Sequence, residues 1–172
     1  MSEGVKVRPA SEADASFLWD MLHEAIYVEP GESRPPFGSL GSGPLAHYLM
    51  KWGRPGDRAL IAEGDGGPVG AAWFRLFSAN DKGYGYVADH IPELTIATVA
   101  GVRGMGIGTK LLTLLIAQAC QDGYRGISLS VDPRNAALHL YERTGFKYIG
   151  TDEGGSWTLL KVLAFDANEA QN

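Results

Sequence analysis

The sequence predicts an α/β fold: one domain whose helix-flanked sheet has both parallel and antiparallel neighbours. Three observations point there. Residues 58–63 and 69–77 are apolar runs joined by the glycine-rich 64–68, an antiparallel hairpin signal. Residues 94–99 lead through a glycine turn into an apolar helix and on to the alternating Ile127, Leu129 and Val131, a strand-helix-strand crossover that requires parallel neighbours. No segment repeats, and 172 residues suit one domain, since domains run to about 100 to 200 residues. The domain is expected to span 1–172, with an ordered core over about 5–163 and a frayed polar tail at 164–172.

Residues 5–8 alternate as a short strand. Ser11 and Asp14 then form a capping box that opens a helix with Phe17, Leu18, Met21, Leu22 and Ala25 on its apolar face, ending near Tyr27. Residues 28–44 are dense in Pro, Gly and Ser and read as an irregular segment of the kind that is mobile or lines a binding site. A second short helix is expected over about 45–52. After the hairpin, 78–92 forms a second loop carrying Tyr84, Tyr86, Asp89 and His90. Leu111, Leu112, Leu115 and Ala119 give helix 110–119 an apolar face, and Gly123 stands at its C-cap. Strand 127–131 turns Ser128 and Ser130 away from the core, toward something polar. A helix over 135–144, a turn at Gly145 and strands at 146–149 and 157–163 complete the order β-α-α-β-β-β-α-β-α-β-β.

Composition excludes several functions. A net charge of −5 and a pI near 5.3 leave no broad basic surface for nucleic acid or an anionic membrane. The opening residues lack the apolar core of a secretory leader, and the longest apolar run, near 111–117, is too short to cross a bilayer. The expectation is a soluble, cytoplasmic protein. Cys120, the single cysteine, permits no internal disulfide and reads as a buried structural thiol. His23, His47, His90 and His139 have no metal-ligand spacing, so no metal is assigned. Gly126-Ile127-Ser128-Leu129-Ser130 approaches a hydrolase elbow, but Ser130 replaces its second glycine and Ser128 falls inside a strand.

The most informative segment is Arg103-Gly104-Met105-Gly106-Ile107-Gly108-Thr109, between a strand and a helix. Alternate glycines clear one side of a turn, so that backbone N–H groups converge on an anion where the helix dipole adds attraction. The dinucleotide fingerprint fails because Thr109 stands where its last glycine belongs, and the Walker loop fails because Gly108-Thr109-Lys110 inverts its ending. The arrangement Arg-x-x-Gly-x-Gly is followed by Asn135, Leu140-Tyr141-Glu142 and Gly145-Phe146. Together the two blocks resemble the GNAT acetyltransferase superfamily over most of the chain.

That resemblance implies a GNAT-like fold of the α+β kind, a mixed, mostly antiparallel twisted sheet flanked by helices and splayed between strands 94–99 and 127–131, with acetyl-CoA held in the gap. Ile96, Ala97 and Thr98 would offer backbone groups to pantetheine, and Arg103, Gly104, Met105, Gly106, Ile107, Gly108 and Thr109 would wrap the diphosphate. Hydrogen bonds to such charged groups are worth about 1.5 to 3 kcal/mol each. Asn135 faces pantetheine in this scheme, or caps its helix. Tyr141 would protonate the leaving thiolate, against the alternative of a core tyrosine beside Leu138; His139 falls on the opposite, exposed face. Glu93 would accept the amine's proton directly or through water, with Asp89 and His90 in reserve; the alternative is a solvated carboxylate. Ala100, where the family often has proline, and a short Asn135-to-Tyr141 interval depart from the pattern.

The expected activity is transfer of acetyl to a primary amine by direct attack in a ternary complex. A cationic acceptor would be held by Tyr27, Tyr84, Tyr86 and Asp89, with Glu29, Glu32 and Phe37 nearby in the two loops. Small amine, peptide N-terminus and lysine all remain open as acceptors, and such domains often pair as homodimers. The rival reading is a regulatory domain that binds acyl-CoA without turnover.

Overall fold

Buried polar side chains set much of the backbone of this protein, whose computed structural model describes residues 4–164. On β1 (Lys6–Pro9), Arg8 donates to both oxygens of Asp14, at 2.8 and 2.9 Å, and to Glu63 at 2.7 Å. Asp14 also accepts the Ser11 N–H at 2.7 Å. The capping box therefore closes over a 3₁₀ turn, Glu12–Asp14, before α1 (Ala15–Ala25) begins and buries Leu18, Met21 and Leu22.

The hairpin is antiparallel, β2 (Arg58–Gly64) against β3 (Gly67–Arg75). Its turn is narrower than the expected five residues, because Gly64 pairs with Gly67 and only Asp65 and Gly66 remain between them. The register shifts at Ala62/Glu63, where Pro68 enters the ladder; a proline with no N–H is admitted at such an irregularity.

The helix expected over 45–52 is a single 3₁₀ turn, Ala46–Tyr48, and another, Phe37–Ser42, occupies part of the stretch expected to be irregular. The cause lies at the end of β3. Arg75, 1% exposed, binds both oxygens of Asp57 at 3.0 and 2.8 Å and donates to the carbonyls of His47 and Met50 at 2.9 and 2.7 Å. Those carbonyls would be acceptors within a continuing α-helix; here the guanidinium takes them, and Lys51 turns to φ 54. Asp57 also accepts the N–H groups of Gly53 and Arg54, at 2.9 Å each.

Further along lie β4 (Glu93–Thr98), α2 (Ile107–Gln121), β5 (Gly126–Val131), α3 (Leu138–Arg143), β6 (Lys147–Thr151) and β7 (Trp157–Val162). The seven strands are hydrogen-bonded in the order β1-β2-β3-β4-β5-β7-β6. Pairing is antiparallel for β5 with β7 and for β6 with β7, and parallel where Glu93 meets Ser128. Leu111, Leu112, Leu115 and Ala119 are fully buried, and α2 ends at Gly123 (φ 87), with Gly123 and Tyr124 N–H groups on the Cys120 and Ala119 carbonyls at 3.1 Å. Cys120 is exposed, correcting the expected buried thiol: one residue past Ala119, it is rotated about 100° off the buried stripe. Helix α3 is shorter than expected because turns at 132–137 precede it.

Two compact units emerge. One takes residues up to Arg75 with Leu94–Leu115, and its core includes Ile61, Trp73, Phe74 and Leu111. The other takes Leu76–Glu93 with residues from Ile116 onward, around Ile127, Leu129, Tyr141, Phe146 and Leu159. Most of the frayed tail expected at 164–172 lies outside the described residues.

Two stability predictions follow. Asp57→Ala leaves the Arg75 guanidinium buried without its carboxylate and is expected to cost about 3 to 5 kcal/mol in urea unfolding. The Arg8 guanidinium holds the Asp14 carboxyl below its ordinary 3.8, at about 2. A depressed folded value stabilises above the unfolded value and is lost as pH falls through the folded one. The unfolding free energy from denaturant titration should therefore drop between about pH 4 and pH 2, by about 1 to 2 kcal/mol given the part-exposed Arg8, and Asp14→Asn should flatten that slope.

Candidate functional site

The glycine turn is built as an anion cradle would be. After a 3₁₀ turn at Ala100–Val102, Gly104 and Gly106 adopt φ 80 and φ 79, a region that favours glycine. A Cβ added at either would meet nothing within 4 Å, so the space beside both is open. Lys110 N–H reaches the Gly106 carbonyl at 3.1 Å, which leaves the amides of Ile107, Gly108 and Thr109 in the first turn of α2, where helix geometry provides no intrahelical acceptor. Ile107 is buried and anchors the turn; Arg103, Gly104, Met105, Gly106 and Thr109 are exposed. The Arg103 guanidinium pairs with Glu24 of α1 at 3.0 Å. On β4, Ile96, Ala97 and Thr98 are half-buried.

Glu93, at the start of β4, is 3% exposed, so it is not a solvated carboxylate. Its Oε1 accepts the Gly85 N–H at 3.0 Å, and Ser128 Oγ donates to the carbonyl of that same Gly85 at 2.7 Å. Glu93 and Ser128 are parallel-paired neighbours, so their side chains leave one face of the sheet together. Gly85 lies close enough that a Cβ there would sit 2.5 Å from the Leu129 carbonyl carbon. Sequence reasoning placed Ser128 on the strand face toward something polar and rejected it as a nucleophile, but missed Gly85 as its partner; the clue was a glycine between two tyrosines, opposite a strand serine.

The remaining loop residues are tied locally. Asp89 accepts the Ala79 N–H at 3.1 Å and the Tyr86 hydroxyl, which lifts the Tyr86 phenol above its ordinary value, and Lys82 stands over the Tyr86 ring at 5.4 Å. Tyr84 and His90 are exposed. Tyr27, Glu29, Glu32 and Phe37 belong to the other compact unit, where Phe37 packs edge-on to His23 at 5.6 Å. Asn135 Oδ1 accepts the Ala137 N–H at 2.9 Å in a turn that precedes α3; the helix is capped at Ala137 with no side-chain bond, so Asn135 is not its N-cap.

Tyr141, on α3, is 7% exposed and meets Phe146 edge-on at 6.0 Å. Burial pushes its phenol above its ordinary 10.0. His139 is exposed. Among the described residues no group of three His, Cys, Asp or Glu side chains is placed to hold a metal, and no helix is long and apolar enough to cross a membrane.

Comparison with known proteins bears on the family and the fold. Mycothiol acetyltransferase of Cellulomonas flavigena is 27% identical over 155 residues, covering 87% of this chain; the chain spans only 42% of that relative's length. The crystal structure of a ribosomal-protein-alanine N-acetyltransferase from Brucella melitensis superposes with a TM-score of 0.68 at 25% identity, over 92% of this chain and 99% of the other. A phosphinothricin acetyltransferase from Sinorhizobium meliloti, solved in complex with AcCoA, superposes with a TM-score of 0.70 at 18% identity, over 96% and 91%. Residues 19–146, well over half of the sequence, match one family throughout, and the chain belongs to the acetyltransferase (GNAT) family.

Proposed function

We propose that the protein is a cytoplasmic acetyl-CoA-dependent N-acetyltransferase acting on a small-molecule primary amine. The observation that carries this reading is the turn at 103–109, with two left-handed glycines beside open space at the amino end of α2. A diphosphate there meets several amide donors at once, and Ile96, Ala97 and Thr98 supply the backbone edge along which pantetheine extends. Acetyl-CoA is named with the Sinorhizobium protein of the same fold, and the Cellulomonas relative's name specifies a small-molecule acceptor.

In the reaction the amine nitrogen attacks the thioester carbon, the C–S bond breaks, and one proton passes from nitrogen to sulfur. Glu93 takes the nitrogen's proton; with 3% exposure it does so through water. Tyr141 serves the sulfur. Its raised phenol stays protonated at every working pH, so it always has a proton to donate, but it is a weaker acid than a free thiol, whose ordinary value is about 8.5. Complete transfer is favourable only if the thiolate is desolvated in the same surroundings, which raises its basicity in step. Tyr141 therefore acts first as a hydrogen-bond donor to growing negative charge and second as an acid. Tyr84, Tyr86 and Asp89 flank Gly85 and supply aromatic and anionic surface for a cationic acceptor.

Thiol release from acetyl-CoA, followed with a panel that includes small amines, the unacetylated precursor of mycothiol and an alanine-initiated peptide, tests the reading. Turnover with a small amine is expected; acetyl-CoA binding without turnover of any amine would favour the regulatory rival. Tyr141→Phe is expected to lower kcat by about 10²- to 10⁴-fold, while the alkaline limb of the wild-type kcat profile shows no fall from phenol ionisation up to about pH 10. Gly106→Val puts a β-branched residue at φ 79 and into the open space; calorimetry should record loss of acetyl-CoA affinity, and melting should show a cost of about 1 to 2 kcal/mol.

A further inference from the structure

Glu93 is 3% exposed, and a carboxylate this buried needs donors; the amide of a loop residue, Gly85, is one of them, at Oε1. A loop amide orients a carboxylate only if the loop is itself held.

We propose that Ser128 is a positioning residue for the acetyl transfer: by holding the Gly85 carbonyl it fixes the Gly85 N–H on Glu93 and so sets the orientation of the base. The inference rests on the reading of Glu93 as the proton acceptor. Three features carry it. Ser128 has no exposed surface and spends its hydroxyl on Gly85, at 2.7 Å, in a strand whose alternate residues Ile127 and Leu129 are wholly apolar. The N–H and the C=O of one residue are thereby captured from two adjacent strands, so that residue 85 cannot rotate without breaking one bond or the other. Finally, the approach is possible only without a side chain, because a Cβ at 85 would stand 2.5 to 2.8 Å from the Leu129–Ser130 peptide. Beyond Gly85 the loop is closed on itself by Asp89, through Ala79 and Tyr86.

The test uses the full chain and two readouts, one of which needs no turnover. In NMR spectra of the wild type, the Gly85 amide is expected to move as Glu93 titrates; Glu93→Gln and Ser128→Ala should each abolish that movement, and Ser128→Thr, which keeps the hydroxyl, should retain it. In kinetics with the best amine of the panel, Ser128→Ala is expected to lower kcat about 10-fold with KM for acetyl-CoA unchanged, and to add no further loss when Glu93 is already Gln. A folded Ser128→Ala protein whose Gly85 amide still follows Glu93, or whose kcat loss multiplies with that of Glu93→Gln, overturns the proposal. Glu93→Gln at wild-type rate removes the base assignment instead, and absence of turnover in the wild type removes the proposed activity; the amide titration reads the Ser128 contact in either case.

Discussion

A charge taken out of water must be given partners, and in this protein those partners include, beside opposite charges, backbone groups of the connections between the principal strands and helices. Asp14, Arg75 and Glu93 are each at most 5% exposed. Each recruits a stretch of chain: Asp14 the amide of Ser11, Arg75 the carbonyls of His47 and Met50, Glu93 the amide of Gly85. These connections are thus organised by buried charges, two at strand ends (Arg75 and Glu93) and one in the 3₁₀ turn before α1 (Asp14).

Under the proposed function this arrangement serves chemistry as well as stability, because a loop that is tied to the sheet would hold Glu93 steadily while its exposed members face a ligand. Around Gly85 the division is visible at the level of single atoms: the backbone faces Glu93 and Ser128, while the neighbouring Tyr84 ring is about half exposed. The apolar setting of Tyr141 is the complementary device, keeping a phenol neutral through its surroundings.

Much of this was legible in the letters because it is local. The hairpin, the helix with its Schellman ending at Gly123, and the crossover follow from periodicity and glycine placement within a few residues, and the resemblance between residues 103 and 146 carried the fold class. What escaped was set by partners far apart in the chain. Nothing near Leu45 announces that Arg75 will take its neighbourhood's carbonyls, so a helix was expected where a 3₁₀ turn stands. Cys120 was placed inside because composition favours burial of thiols, whereas its angle on α2 points it outward. Gly85 carries no motif; its requirement arises from the surface of a strand more than forty residues away.

The contact between Arg103 and Glu24 bears on the order of events at the glycine turn. Glu24 also lies 3.5 Å from Arg34, so one acidic side chain is shared by two cations on different parts of the chain. Under the proposed function, a diphosphate that recruits Arg103 would compete with a carboxylate already in place, and Glu24, if released, keeps Arg34 as its partner on the segment after α1.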